Sequence, residues 1–337
     1  MLRGRRALPT AALCLALGAI AVGAGAAETP TAAPRLVATI ALSDVRGRID
    51  HLAIDQSGGR LFVAALGNDT VEVLDLRAGA PSRTISGLRE PQGVLFLPDR
   101  HQLYVANGGD GVCDVFDADT LARVRAIGLS ADADNLRWDG RDATVYAANG
   151  AGALSRIDAA SGVVTARIAL AVHPESFQLE ESGPRIFVNL PAAREIAVVD
   201  RQQRTVVATW PLVDARANYP MALDEGRRRL LVGTRQPPRL DIYDIDSGTR
   251  VAALPSVGDM DDLFVDARRG RVYAIGGEGH VDILARAEGD RYQRVAQIPT
   301  RAGARTGLWV PDSNRLYVAL PRAGPQAAEI RVYDLPP

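Results

Sequence analysis

The stretch Tyr104-Val105-Ala106-Asn107-Gly108 returns 42 residues later as Tyr146-Ala147-Ala148-Asn149-Gly150. The aromatic–aliphatic pair at its head has counterparts at five more places, at steps of 41 to 44 residues. The seven pairs are Phe62-Val63, Tyr104-Val105, Tyr146-Ala147, Phe187-Val188, Leu231-Val232, Tyr273-Ala274 and Tyr317-Val318. A period in this range, with short apolar runs and turn residues between them, is typical of β-propellers.

Each repeat contains four short runs with the lengths and turn residues of antiparallel strands. In the first repeat they cover residues 49–55, 60–65, 71–75 and 83–85. The sequence therefore predicts an all-β fold, a single seven-bladed β-propeller of four-stranded antiparallel blades over residues 28–337. The blades are predicted at approximately 46–87, 88–130, 131–170, 171–215, 216–258, 259–302 and 303–337, the last completed by residues 35–42.

The two ends of the chain explain why residues 35–42 belong to the last blade. The seventh repeat stops after its third strand, at 330–334. Residues 36–42 resemble the fourth strands predicted at 164–170 and 206–212. The N-terminal strand is therefore predicted to complete the last blade and close the ring, which leaves no open sheet edge between the ends.

Aspartates end the third strand of six repeats. They could be mistaken for catalytic carboxylates, but an Asp at this place commonly hydrogen-bonds the backbone of the following turn. We therefore expect a structural role for the six residues, which are Asp75, Asp117, Asp158, Asp200, Asp244 and Asp334.

The first 27 residues have the pattern of a secretion signal. Arg3, Arg5 and Arg6 precede an apolar run at 11–22, and small residues follow at 24–27. We predict a signal peptide over 1–27 and a periplasmic or secreted protein; Arg5-Arg6 leaves Sec and twin-arginine export both open. No other segment is long and apolar enough to predict a membrane span.

Charge and cysteine content exclude some kinds of function and of covalent structure. The chain has 39 Lys plus Arg and 40 Asp plus Glu, and all the basic residues are arginine. Without the three signal arginines the formal charge is −4, which argues against nucleic-acid binding. Beyond residue 27 the single cysteine, Cys113, has no partner for an internal disulfide, and we expect a monomer.

At 104–108 and 146–150 the sequence resembles the YVTN-repeat propellers, which are secreted seven-bladed proteins of bacteria and archaea. The resemblance covers nearly all of the chain after residue 27, although Phe187-Val188-Asn189-Leu190 and Leu231-Val232-Gly233-Thr234 depart from the motif. This family is similar to lactonase-type propellers and to the haem-binding propeller of cytochrome cd nitrite reductases. Many YVTN-repeat proteins have no assigned activity, so the resemblance implies architecture more than reaction.

The repeat also selects candidate site residues, because equivalent positions converge on the central channel of a propeller. Two consecutive registers fall where each inner strand should begin, twelve and eleven residues before the marker pair. They supply the predicted ligand-binding residues Asp50, His51, Gln92, Asp134, Asn135, Glu175, Tyr219, Asp261, Asp262 and Arg305. Four carboxylates in one ring require a cation, an arginine or raised pKa values.

A divalent cation is one way to satisfy such a ring. Ca²⁺ would use carboxylate and amide oxygens, and histidines would allow Zn²⁺. The candidate metal ligands are Asp50, His51, Asn135, His173, Glu175, Asn218 and Asp261. Lactonase and organophosphate-hydrolysing propellers hold Ca²⁺ with similar residue types, as the resemblance implies, but commonly on six blades. The simpler alternative is that these side chains hydrate a polar channel mouth and cap loops.

Two principal functions remain open at this point. The first is a binding propeller whose channel mouth takes a cation or small polar ligand, with rims on which an envelope protein could dock. The alternative is a metal-dependent hydrolase of lactones or esters that uses the same ring. A structural envelope protein that binds nothing is a third. Motifs such as G-x-S-x-G, H-E-x-x-H and C-x-x-C-H do not occur in the sequence.

Overall fold

A computed structural model describes residues 1, 2, 4 and 33–335. The chain divides into two units, 1–32 and 33–337, and the second holds the propeller. Nearly all of the predicted signal peptide lies outside the described residues. The second unit contains seven four-stranded antiparallel sheets arranged in a ring, which confirms the predicted fold. In the described part of the chain, no helix has the length and apolar character needed to cross a bilayer.

In the first six blades the strands follow one another from the channel outward in chain order, and in the seventh the N-terminal strand β1 takes the outermost place. The first four blades consist of β2 Leu52–Asp55, β3 Arg60–Ala65, β4 Thr70–Asp75 and β5 Ala80–Ile85; β6 Pro91–Leu97, β7 Gln102–Asn107, β8 Val112–Asp117 and β9 Arg123–Gly128; β10 Leu136–Asp139, β11 Thr144–Asn149, β12 Ala153–Asp158 and β13 Val164–Ala169; and β14 Phe177–Leu179, β15 Arg185–Leu190, β16 Glu195–Asp200 and β17 Thr205–Pro211.

The last three blades follow the same plan. They consist of β18 Arg216–Asp224, β19 Arg229–Gln236, β20 Pro238–Asp244 and β21 Arg250–Pro255; β22 Met260–Asp266, β23 Arg271–Gly276, β24 His280–Arg286 and β25 Tyr292–Pro299; and β26 Gly307–Val310, β27 Arg315–Leu320, β28 Ala328–Asp334 and β1 Arg35–Leu42. Short 3₁₀ turns occur at Leu66–Asn68, Pro98–Arg100, Glu225–Arg227 and Pro311–Ser313.

The marker pair is buried in every blade because each member packs against a different neighbour. Successive side chains of a strand point to opposite faces of its sheet. Phe62 therefore packs against blade 2, in a cluster with Leu103, whereas Val63 packs against blade 7, in a cluster with Tyr317. The same division holds around the ring, which explains why the pair recurs with a larger first member in most blades.

Blade 7 is completed by the N-terminal strand, as predicted. β1 pairs antiparallel with β28, from Arg35 opposite Asp334 to Leu42 opposite Ala328. Ile40 of β1 is buried in the cluster between blades 7 and 1. Pairing and burial together close the ring.

Five of the six aspartates at the ends of the third strands hold turns, as expected, whereas Asp334 accepts instead from Arg35 Nη2 of β1 at 2.9 Å. Asp75 Oδ1 accepts hydrogen bonds from the Arg77 and Ala78 amides at 2.8 and 2.9 Å. Asp158 accepts from the Ser161 amide at 2.8 Å. These backbone hydrogen bonds lower the pKa of Asp75, which is the behaviour of a turn-capping carboxylate.

Candidate functional site at the channel mouth

A bulge at the start of the inner strands brings two consecutive residues towards the channel. The Asp50 amide donates to the Ala64 carbonyl at 2.8 Å, and the Ala64 amide donates to the His51 carbonyl at 3.1 Å. Two residues of one strand thus oppose one residue of the next. Asp134 and Asn135 repeat this arrangement against Ala148. The inner strand of blade 1 consequently begins as a regular strand at Leu52, later than the predicted residue 49.

The first of the two predicted registers lines a cavity of about 350 Å³, which we call the mouth cavity. Six of its seven predicted ring positions contribute to the lining. The lining residues are Arg48, Gln92, Asp132, Asp134, His173, Glu175, Tyr219, Arg235, Asp261 and Arg305. The structure therefore brings together most of the residues that the repeat selected. The remaining ring residue, Asp50, is 1% exposed and is not part of this lining.

Four residues of the second register line a separate cavity of about 290 Å³, which we call the inner cavity, whereas Asn135 is buried outside both linings. His51 and Asp262 belong to it, together with Ser176, Gln178 and Arg137. The prediction placed His51 and Asp262 at the mouth itself. They instead line the inner cavity, since the bulge turns the second residue of each pair to a different part of the channel.

His51 connects the two registers through charge. Its Nδ1 lies 3.4 Å from Asp262 Oδ1, and its Nε2 lies 3.7 Å from Asp50 Oδ1. Burial alone lowers the pKa of His51, but attraction to Asp262, a hydrogen bond to it and attraction to Asp50 raise the pKa to about 10. The imidazole is therefore cationic at neutral pH and offsets part of the negative charge.

Arginines offset the carboxylates on one side of the mouth cavity. Arg235 Nη2 lies 2.7 Å from Asp261 Oδ1, and its Nη1 lies 3.2 Å from Asp259 Oδ1. Arg305 Nη1 also contacts Asp259, at 3.1 Å. The Arg235 guanidinium carbon lies 3.9 Å from the centre of the Tyr219 ring, so this ring supports a cation already held by two carboxylates.

Arg48 provides a third cation on the same side. Its Nη2 lies 2.8 Å from Asp50 Oδ2 and 3.5 Å from Asp261 Oδ2. The contact with Asp50 is an ion pair without hydrogen-bond alignment, and neither Asp50 carboxylate oxygen accepts a hydrogen bond within residues 33–335. The buried Asp50 carboxylate is thus stabilised by the nearby charges of Arg48 and His51.

Asp134 and Glu175, on blades 3 and 4, differ from the other ring carboxylates. Within the described residues, neither side chain has an ion pair or a hydrogen bond, although both line the mouth cavity. Burial, followed by repulsion from Asp134, Asp261 and Asp132, raises the pKa of Glu175 to about 8. Burial, followed by repulsion from Asp50, raises the pKa of Asp134 to about 6. The cavity therefore has one side on which arginines contact carboxylates and another on which Asp134 and Glu175 feel cations only at longer range.

Arg48, Asp132 and Asp259 are not among the residues predicted from the sequence, although their positions in the repeat could have identified them. They lie fourteen residues before the markers, two before the first register, and thus on the same side of an extended chain. His173 occupies this position in blade 4. Arg235 could also have been found, because it is the one charged residue at a repeat position otherwise held by Leu66, Gly108, Gly150, Pro191, Gly277 and Pro321.

The candidate metal ligands do not gather around one point. Asn218 is buried and donates to Asn189 Oδ1 at 2.9 Å and to the Glu195 carbonyl at 3.1 Å, so its amide links the strands of blades 4 and 5. His173 Nδ1 lies 2.7 Å from the Gly150 carbonyl. Across residues 33–335, no three His, Cys, Asp or Glu side chains are grouped to coordinate one ion. The metal site remains a prediction without geometric support.

Comparisons with known proteins add information on the fold alone. No family model matches the sequence, and no curated protein matches it. The resemblance to YVTN-repeat propellers therefore remains an expectation. A solved structure of Kuenenia stuttgartiensis hydrazine synthase is similar, with a TM-score of 0.74 and 18% sequence identity. The match covers 82% of this chain and 94% of that chain, and at this identity it supports the propeller architecture and nothing about chemistry.

Proposed function

We propose that this protein is an exported binding propeller whose mouth cavity takes a small polar ligand with a positively charged group. The observation that carries the proposal is the pair of carboxylates, Asp134 and Glu175, that face the cavity without a partner in the described part of the chain. Export is part of the proposal and derives from the pattern of residues 1–27.

The charge balance supports a cationic ligand. Three arginines at the mouth cavity face four lining carboxylates, and these arginines also pair with Asp50 and Asp259. Each guanidinium is therefore engaged with carboxylates, whereas Asp134 and Glu175 are not. A ligand cation placed between these two would relieve the repulsion that raises the pKa of Glu175.

The size and lining of the mouth cavity support a small molecule. Its volume of about 350 Å³ lies at the lower end of the range for small-molecule sites. Gln92 and Tyr219 add hydrogen-bonding groups to the charged ones. Metal-dependent hydrolysis is less well supported, because it needs several ligands around one ion, and the described residues contain no such group.

Calorimetric titration of purified residues 28–337 would test the proposal. The probes are choline, its uncharged carbon analogue 3,3-dimethylbutan-1-ol, guanidinium and Ca²⁺. We expect binding of an organic cation and none of the uncharged analogue. Glu175→Gln and Asp134→Asn should each weaken binding about tenfold, on the scale of a charge-assisted contact.

Asp99→Asn is the matched control, since Asp99 is an exposed carboxylate in the turn at the other end of the blade. Equal binding of choline and the uncharged analogue would contradict the proposal. Equal affinities in Glu175→Gln and Asp99→Asn proteins would contradict it as well. Tight Ca²⁺ binding that Glu175→Gln abolishes would instead revive the metal-site prediction.

A further inference from the structure

Blade 4 breaks the repeat at a position far from the mouth cavity. The residue that follows the aspartate of the third strand is apolar and buried in four blades, as Ala118, Ala159, Ile245 and Leu335. In blade 6, where Ala285 replaces the aspartate, the half-buried Arg286 stands there, whereas blade 4 has Arg201, which is 7% exposed. A buried guanidinium loses hydration, so its presence in a position built for an apolar side chain requires specific partners.

Two of the three guanidinium nitrogens of Arg201 have partners, and the third has none in the described residues. Its Nη1 lies 2.6 Å from Asp139 Oδ2 of blade 3, and its Nη2 donates to the carbonyl oxygens of Glu180 and Gly183. Its Nε is buried and has no acceptor within residues 33–335. Asp139 is also shared with Arg141, whose Nε lies 3.2 Å from Oδ1. One carboxylate therefore serves two guanidinium groups.

Arg201 lines a cavity of about 320 Å³ between blades 3 and 4, which we call the arginine cavity. The cavity lies on the rim opposite the mouth cavity, where first strands end and third strands turn into fourth strands. Its lining residues are Asp139, Arg141, Asp142, Arg156, Arg201, Gln202 and Arg204. Four arginines and two aspartates give the lining a formal excess of two positive charges.

The excess charge is located on identifiable groups. Arg156 is paired with Asp142, and Asp139 is divided between Arg141 and Arg201. Arg204 is exposed and has no ion pair or side-chain hydrogen bond within the described residues. It stands on the turn that follows Arg201, so a free guanidinium adjoins one that is buried and incompletely satisfied.

We propose that the arginine cavity binds a small dianionic oxyanion of the phosphate class, either free phosphate or a phosphomonoester. Guanidinium groups hold phosphate oxygens through paired, charge-assisted hydrogen bonds. The two uncompensated charges match a dianion, and the volume accommodates a phosphate with a small substituent. This site is independent of the mouth cavity in position and in the sign of its charge.

Titration of residues 28–337 with inorganic phosphate, at constant ionic strength set by chloride, tests the site. We expect saturable binding and a rise in melting temperature that chloride alone does not produce. Arg204→Gln should weaken phosphate binding about tenfold. Arg315→Gln is the matched control, because Arg315 is an exposed arginine without described partners on the same rim of blade 7.

Arg201→Leu introduces an apolar residue, as five of the other six blades have at this position, and should abolish phosphate binding. Since this change could alter the fold, Arg204→Gln carries the test if the Arg201→Leu protein does not fold. Separate titrations with glycerol phosphate and phosphate show whether the site takes a phosphomonoester or the free ion. Acetate that binds as tightly as phosphate would overturn the proposal, and so would equal phosphate affinities in the Arg204→Gln and Arg315→Gln proteins.

Discussion

The His51 imidazole lies against the Asp262 carboxylate, with 3.4 Å between Nδ1 and Oδ1. Burial lowers the pKa of His51, but the attraction and hydrogen bond of Asp262, together with attraction to Asp50 and Asp134, raise the pKa from the ordinary value of 6.5 to about 10. We expect His51 to stay protonated through neutral pH in NMR spectra of its ring nitrogens. Asp262→Asn should lower the His51 pKa, and a His51 that titrates near pH 6.5 in the unmodified protein would contradict the assignment.

The raised pKa of His51 also predicts that the free energy of unfolding depends on pH. Because the folded-state pKa of His51 is raised, its contribution is fully present below about pH 6.5, the value for an unfolded chain. The contribution is lost as the pH rises towards 10. Urea unfolding between pH 6 and 10 should show a decline that is smaller in a His51→Gln protein. An equal decline in both proteins would assign the effect to other groups.

Glu175→Gln should stabilise the unliganded protein at alkaline pH. The raised pKa of Glu175 means that ionisation of this side chain opposes folding once the pH exceeds its unfolded value. The amide removes this charge, so we expect a higher melting temperature at pH 8 to 9 and little change near pH 4. A lower melting temperature at pH 9 would show that the carboxylate has a partner in solution.

Ligand binding at the mouth cavity should be coupled to proton release. A cation between Asp134 and Glu175 favours their ionised forms, whose pKa values without ligand are about 6 and about 8. We therefore expect affinity for an organic cation to rise between pH 6 and 8. Calorimetry in buffers of different ionisation enthalpy measures the protons released, and pH-independent affinity would argue against binding between these carboxylates.

Arg235→Gln should destabilise the fold by about 2 kcal/mol, because it removes the charge-assisted contact of the largely buried Asp261, which then keeps only the longer contact with Arg48. Arg235 contacts Asp259 and Asp261 and covers the Tyr219 ring. Asp261→Asn in the same protein should recover part of the loss, as denaturant titration can measure. Arg315→Gln, on the other rim, should cost little, and equal losses in the two arginine variants would contradict this account.

The propeller architecture could be predicted from the sequence because equivalent residues are buried in the same way in every blade. Each marker pair packs between two neighbouring blades, so the same physical demand recurs at every step of the ring. Closure by β1 was predictable for a similar reason, since 36–42 resembles strands that face the same surroundings elsewhere. The predicted inner strand began too early at 49, because the bulge that shortens it leaves no mark in the apolar pattern.

The candidate site could be predicted in position and only partly in composition. The register identified Asp134, Glu175 and Asp261 as neighbours in space. It could not show that Arg235 reaches Asp261 from a second strand, because such a contact depends on side-chain length rather than on strand position. Which carboxylates have partners is a property of these cross-blade contacts, and only the three-dimensional structure shows that Asp134 and Glu175 lack them within residues 33–335.

Strand β1 is synthesised before every other strand of the ring, whereas its partner β28 is synthesised after all of them. Until β28 emerges, β1 has no sheet to join and the ring keeps two open edges. Unpaired edges are the parts of β proteins that recruit other chains. A chain cut short before Ala328 would therefore remain prone to aggregation and accessible to proteases. Because β1 pairs with β28, only a chain that has been synthesised through blade 7 can close the ring and leave no open sheet edge.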